Sequence, residues 1–215
     1  MMSFFTENSA DILLKTWEHF YISFSALLLG VIIAVPLGIL LSKTKTVAKI
    51  VLTVTSVLQT VPSLALLAIM IPFLGVGKVP AIFALCIYSL LPILNNTFIG
   101  MQSVNQNIKA AGTAMGMTPL QSMRMVELPL AMPIIMSGIR LCAVYVISWA
   151  TLASYIGAGG LGDFIFNGLN LYKTELIVGG ALIVTALALL VDFLLSRFER
   201  FMIPKGLRMQ GGRTS

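Results

Sequence analysis

A chain of 215 residues that is 58% hydrophobic and 10% charged cannot cover its surface in water, because soluble domains carry about 25% charged residues. That excludes a soluble enzyme or binding module and leaves an integral membrane protein. The net charge of +6 invites a nucleic-acid reading, which the placement of the basic residues removes below.

In chain order, residues 1–19 lack the basic start and small-residue cleavage site of a signal peptide. They read as an external N-terminal segment kept in the mature protein, with His19 at the membrane interface. A span needs about 20 mostly apolar residues. Phe20–Leu41 supplies the first, and Lys43, Lys45 and Lys49 follow as a basic loop. Residues 50–77 carry no charge, and Pro62 falls in their middle. One span ending near Phe73 is expected there, kinked at Gln59–Ser63, since two pieces would each be too short to cross. Further spans are expected at 80–100, 133–154 and 176–196, ahead of a basic tail at 201–215. The expected fold is all-α with about five transmembrane helices, the membrane body covering residues 20–200.

Charge sets the expected orientation. With five spans and the 109–129 loop inside, Lys43, Lys45, Lys49, Lys109, Arg124, Arg140, Arg197, Arg200, Lys205, Arg208 and Arg213 fall on one side, eleven of fourteen basic residues. Only Lys15, Lys78 and Lys173 fall on the other. By the positive-inside rule the N-terminus is outside and the C-terminus in the cytosol, which accounts for the net charge without nucleic acid.

Between the third and fourth spans lies a polar island, Lys109–Pro129. Gly116 and Thr118-Pro119 predict a break between two short helices. Thr118 suits an N-cap, Pro119 the first helical position, and Gln121 the reciprocal partner of a capping box. Pro129, which cannot donate an intrahelical bond, is expected to start a new helix. No Gly-x-x-x-x-Gly-Lys-Ser/Thr occurs, so the chain has no ATP site of its own. No cofactor or metal is expected. Cys86 and Cys142 sit within apolar runs as small buried hydrophobes.

The island also carries a resemblance. The coupling loop of ABC-importer permeases runs Glu-Ala-Ala, three residues, Gly, nine residues, Ile, one residue, Leu-Pro. Aligned on Gly116 and Pro129, the Glu position is Ala110, the Ala positions are Ala111 and Gly112, and the Ile position is Val126. The glycine, the spacing and Leu128-Pro129 are kept, while the glutamate is absent. With Gln59-Thr60-Val61-Pro62-Ser63 and Gly157-Ala158-Gly159-Gly160-Leu161-Gly162-Asp163, the chain resembles permease subunits of osmoprotectant importers over about residues 20–200, and methionine-importer permeases more distantly. The resemblance implies a type I importer fold in a bacterial cytoplasmic membrane. It implies a coupling helix at Ala111–Thr118 that touches a cytosolic ABC ATPase through Ala110, Gly112, Met115, Gly116 and Met117. It also implies a second permease copy or a paralogue, and an extracytoplasmic solute-binding protein. The solute would be glycine betaine, carnitine or choline.

Other candidates keep two readings each. Gly157, Gly159, Gly160 and Gly162 form an outer gate or an ordinary connection. Gln59, Pro62, Ser63, Asn95 and Asn96 line a hydrated pathway or bond between helices. Tyr145, Trp149 and Tyr155 face a cationic solute or anchor the interface. Arg140 pairs with Asp192, or it snorkels while Asp192 pairs with Arg197. Methionines around the loop contact a partner or fill space. An ion-coupled carrier would need more intramembrane carboxylates than Asp192, and a membrane enzyme a cluster of ionisable residues.

Overall fold

The computed structural model describes residues 8–202. They form α1 (Ser9–Leu41), α2 (Lys45–Thr60), α3 (Ser63–Leu74), α4 (Lys78–Gln102), α5 (Gln106–Ala114) and the single turn α6 (Pro119–Ser122). A π-helical turn (Met123–Glu127) leads into α7 (Leu128–Ala153), and a 3-10 turn (Ser154–Ile156) precedes α8 (Gly162–Asn170) and α9 (Thr174–Met202). No strand occurs among the described residues.

α1, α4, α7 and α9 are each long and apolar enough to cross a membrane, and α2 with α3 forms a pair bent by 95°. At 16 and 12 residues, α2 and α3 extend about 24 and 18 Å, and neither alone crosses about 30 Å of hydrocarbon. Together they make one broken span, because α1 and α4 run parallel: Gly30 sits against Ser89, and Gly38 against Thr97. The chain between two parallel spans must return across the membrane once. Five crossings result, as expected, though the break is far sharper than a proline kink.

α1 packs by its small residues. Ala26, Gly30, Ala34 and Gly38 recur every fourth position, and all are buried. Helices in lipid associate through such stripes, which let backbones approach closely. α7 then lies antiparallel against α4, with Gly138 on Asn96 and Gly100 on Ala131. α9 closes on α7, where Ile147 and Val184 share a cluster with Leu161 and Phe164 of the intervening segment. Leu29, Ile32, Leu189 and Phe193 stay exposed, as lipid-facing side chains should.

The first helix starts at Ser9, ahead of the apolar run that opens at Phe20. Two expectations are corrected. His19, expected at the interface, is fully buried, because its Nε2–H donates to the Ile147 carbonyl at 2.9 Å. Pro129 falls in the first turn of α7, as expected, but that helix is continuous with the π turn before it, and the run from Pro119 to Ile156 reads as one span rather than one from about Pro133. The π turn permits this: Pro129 has no N–H for the Met125 carbonyl four residues back, and the π turn just before it absorbs that gap without ending the helix. Lys205, Arg208 and Arg213 lie outside the described residues.

Candidate functional site

Polar groups at membrane depth gather along one side of the broken span. A cavity of about 370 Å³ is lined by Gln59, Asn95, Asn96, Tyr88, Tyr145 and Trp149, with apolar walls from Leu91, Pro92 and Leu141. Helix periodicity builds it: Leu141, Tyr145 and Trp149 are four apart on α7, and Tyr88, Leu91, Pro92 and Asn95 share one face of α4. The rings form a continuous row. Trp149 lies 5.2 Å from Tyr88 and 5.5 Å from Tyr145, centroid to centroid. The bend of the broken span is tied to this row, for Tyr88 OH donates to the Val61 carbonyl and Gln59 Nε2 donates to the Tyr88 carbonyl at 3.1 Å. Pro92 has no N–H for the Tyr88 carbonyl one turn back, which is the carbonyl Gln59 fills, and Asn96 Nδ2 donates to the Pro92 carbonyl at 2.8 Å. Pro62 caps α3 and Ser63 begins it, so both shape the bend.

A second, more open groove of about 500 Å³ continues from Thr60 to the basic end of α2, lined by Lys45, Lys49, Thr53, Ser56, Thr60 and Phe98. The spacing 45, 49, 53, 56, 60 puts one polar stripe on one helix face. Each hydroxyl donates to its own helix, Thr53 to Lys49 at 2.8 Å, Ser56 to Leu52 at 2.8 Å and Thr60 to Val57 at 2.7 Å. Each hydroxyl oxygen keeps acceptor capacity toward the groove. This stripe is legible in the sequence, but counting formal charges passes over it.

The neighbouring face of α7 carries Arg140. Its Nε and Nη2 reach Asp192 Oδ1 and Oδ2 at 2.5 and 2.8 Å, and its Nη1 lies 3.6 Å from Glu199 Oε2. The fork-to-fork geometry satisfies both charges in a way a lysine could not. Glu199 is a partner the sequence reading did not include. Arg197 instead lies over the Phe193 ring at 5.2 Å.

The glycine turn lies at the other end and does not line the cavity. Gly157 ends the 3-10 turn after α7 with φ +72°, and Gly159 and Gly160 also have positive φ. The Gly160 N–H donates to Glu18 Oε2 at 3.2 Å, and a Cβ at Gly160 would sit 3.1 Å from His19 Nδ1. Glu18 also holds Lys78 at 2.9 Å and Lys15 at 3.4 Å. Lys15 and the Ser154 hydroxyl both bond Asp163. Gly162 starts α8 packed against Thr151 and Ser154. The turn thus staples α1 to α7 and α8. Tyr155 stacks at a tilt on Phe166, 5.7 Å away, outside the cavity.

At the basic end, α5 covers Ala110, Ala111 and Gly112, and the chain then turns through Met115, Gly116 and Met117. The helical part lies at Gln106–Ala114 rather than at Ala111–Thr118. Gly116 has φ +80°, a conformation costing other residues about 1–2 kcal/mol. Thr118 and Gln121 form the reciprocal capping box, with Pro119 at the first helical position. Met117 packs beneath Gly112, while Ile108, Met115, Leu120 and Met125 are exposed. Lys109 Nζ pairs with Glu127 Oε2 at 2.9 Å, tying α5 to the π turn just ahead of Leu128 and Pro129.

Five crossings around a broken span, polar cavities at membrane depth and an exposed helical loop at one end define a multi-pass transport subunit. The chain belongs to the binding-protein-dependent transport system inner membrane component family, whose model matches residues 26–205. It is 60% identical over 208 residues to the carnitine transport permease protein OpuCB of Listeria monocytogenes, covering 97% of this chain and 95% of the relative. It is 55% identical over 208 residues to the glycine betaine/carnitine/choline transport system permease protein OpuCB of Bacillus subtilis strain 168, covering 97% and 96%. A solved chain of the MetNI methionine ABC transporter superimposes with TM-score 0.82 over 90% of this chain and 96% of that one, at 22% identity, which shows a shared fold.

Proposed function

We propose that this permease carries a quaternary ammonium osmoprotectant (glycine betaine, carnitine or choline) across the bacterial cytoplasmic membrane, driven by a cytosolic ATPase on a separate subunit. The observation that carries this reading is the 60% identity, along 97% of the chain, to a carnitine transport permease. The basic end faces the cytosol, with the N-terminus outside. The exposed apolar side chains of α5 and the Gly116 turn seat in a groove of the ATPase. A second permease, identical or paralogous, completes the pathway opposite the open cavities, and an extracytoplasmic binding protein delivers the solute near the glycine turn. That turn closes the outer end by holding α1 on α7. ATPase closure moves the helices as rigid bodies between inward- and outward-facing states. The permease itself performs no chemistry.

The test is ATP-driven uptake of labelled glycine betaine, carnitine and choline into liposomes holding the whole complex, with Gly116→Trp beside the wild type. Nothing lies within 4 Å of a Cβ at Gly116, so the indole extends into the docking space and the positive φ is strained as well. Uptake is expected to fall about five- to thirtyfold on the strain of about 1–2 kcal/mol alone. Undiminished ATP-driven uptake by the variant overturns the coupling assignment. Uptake by the permease alone, driven by a sodium or proton gradient, overturns the ATP-driven class.

A further inference from the structure

The cavity at the bend of the broken span has a composition that selects among ligands. Three aromatic rings, Tyr88, Trp149 and Tyr145, stand in one row with neighbouring centroids 5.2 and 5.5 Å apart. Amide groups of Gln59, Asn95 and Asn96 complete the lining, and none of the lining residues is charged. A primary ammonium or a metal ion stripped of water would need carboxylates or several oxygens in fixed array, which this lining lacks. A carboxylate-only anion would need a cation or converging N–H groups. A quaternary ammonium is different, because its methyl groups donate no hydrogen bonds and its diffuse charge is held by ring faces.

We infer that the Tyr88–Trp149–Tyr145 cavity is a solute site within the permease that receives the quaternary ammonium group on its ring faces. The inference rests on the proposed function and adds the place and the chemistry of contact. The amides give the far end of the solute uncharged partners, suited to a carboxylate or a hydroxyl without fixing either strongly. The missing acid keeps the site weak, which suits a pathway that must release what it holds. The site is also coupled to the helix break. Tyr88 is bonded to the bend on both sides, through its own hydroxyl to Val61 and its carbonyl from Gln59, so opening the bend separates Tyr88 from Trp149 and disassembles the ring row.

The test uses the complete transporter, reconstituted with its ATPase and binding protein, with tryptophans bearing one to four fluorines placed at position 149. Fluorination drains the ring face of negative potential while preserving its shape and packing. Uptake of choline and glycine betaine at saturating binding protein is expected to fall stepwise, by about tenfold across the series. Trp149→Leu is expected to lose at least as much. Should Trp149→Leu fail to assemble, the fluorinated series still decides, because its members retain the indole. A flat response across the series overturns the site while leaving the proposed function intact. A wild-type complex that takes up none of the three quaternary ammonium solutes overturns the proposed function, and the site with it.

Discussion

Reversing the Lys109–Glu127 pair tests how a push on the loop reaches the membrane helices. Lys109 Nζ lies 2.9 Å from Glu127 Oε2, with the side chains 23% and 20% exposed. The Ser122 hydroxyl lies 3.5 Å from Glu127 Oε1, and Lys109 also approaches the Met101 carbonyl at 3.5 Å. One ammonium thus joins α5 to the end of α4 and to the π turn that feeds α7. Fully exposed pairs contribute about 0–1 kcal/mol, and removing one partner of a buried pair costs about 3–5 kcal/mol. At about a fifth exposed this pair falls between, near 2 kcal/mol, and reversing one charge replaces attraction by repulsion for about 3 kcal/mol. A loss of 3 kcal/mol shifts the population of the joined arrangement by about a hundredfold. In proteoliposomes, solute moved per ATP hydrolysed is expected to fall more than tenfold in Glu127→Lys and in Lys109→Glu, and to return within about threefold of wild type in the double reversal. An unchanged ratio in either single variant, or a double variant no better than the singles, refutes the strut.

Arg140→Asp and Asp192→Arg are each expected to lower assembly by more than about tenfold, since each strands a charge in hydrocarbon; the swap recovers it only in part, because Glu199 is then left without its arginine, and detergent-extracted yield with thermal melting reads the outcome. Gly38→Leu is expected to melt at least several degrees lower. A Cβ there would stand 2.7 Å from Thr97 Cβ and 3.2 Å from the Leu94 carbonyl, against a normal carbon spacing of about 3.5–4.0 Å, while Leu29→Ala on the exposed face of the same helix should leave melting unchanged. Orientation is checked by labelling with an impermeant maleimide from outside: Asn170→Cys reacts and Thr113→Cys does not. Native Cys86 and Cys142, 6% and 0% exposed, stay silent, and the reverse pattern refutes the topology.

The spans were legible because about 20 uncharged apolar residues have few other fates, and the capping box because Thr118, Pro119 and Gln121 satisfy local backbone groups without outside help. What stayed hidden depended on contacts remote in sequence. Lys15, Glu18 and His19 break the hydropathy of the first span, so α1 reads as starting after them, yet each finds a partner on the glycine turn or on α7. α8 is nine residues long, too short and too polar to register as a span. The Ala26–Gly30–Ala34–Gly38 stripe is present in the sequence as a four-residue period, but its meaning needs the facing Ser89 and Thr97. The spacing of Arg140 and Asp192 left two pairings open, and only the packing of α9 on α7 brings their forks together.

The continuity of α7 is what makes a remote motor mechanically plausible. A fresh helix start at Pro129 would leave a hinge between loop and span, and motion of the loop would dissipate there. The π turn instead carries backbone bonding past Pro129, so the segment from Pro119 and α7 form one rod, to which the Lys109–Glu127 pair ties α5. From Leu128 to Trp149 that rod is about 32 Å long at 1.5 Å per residue. Arg140 anchors it to α9 partway along, Gly138 sets it tightly on Asn96 of α4, and its far end is stapled to α1 through the glycine turn. A tilt imposed at the loop therefore displaces Tyr145 and Trp149 against Tyr88, which belongs to α4 and is held by the broken span. The helix tied to the proposed docking segment through Lys109 and Glu127 is also the one that carries two of the three rings, so in the proposed mechanism loading and release of the cavity follow from a single rigid-body movement.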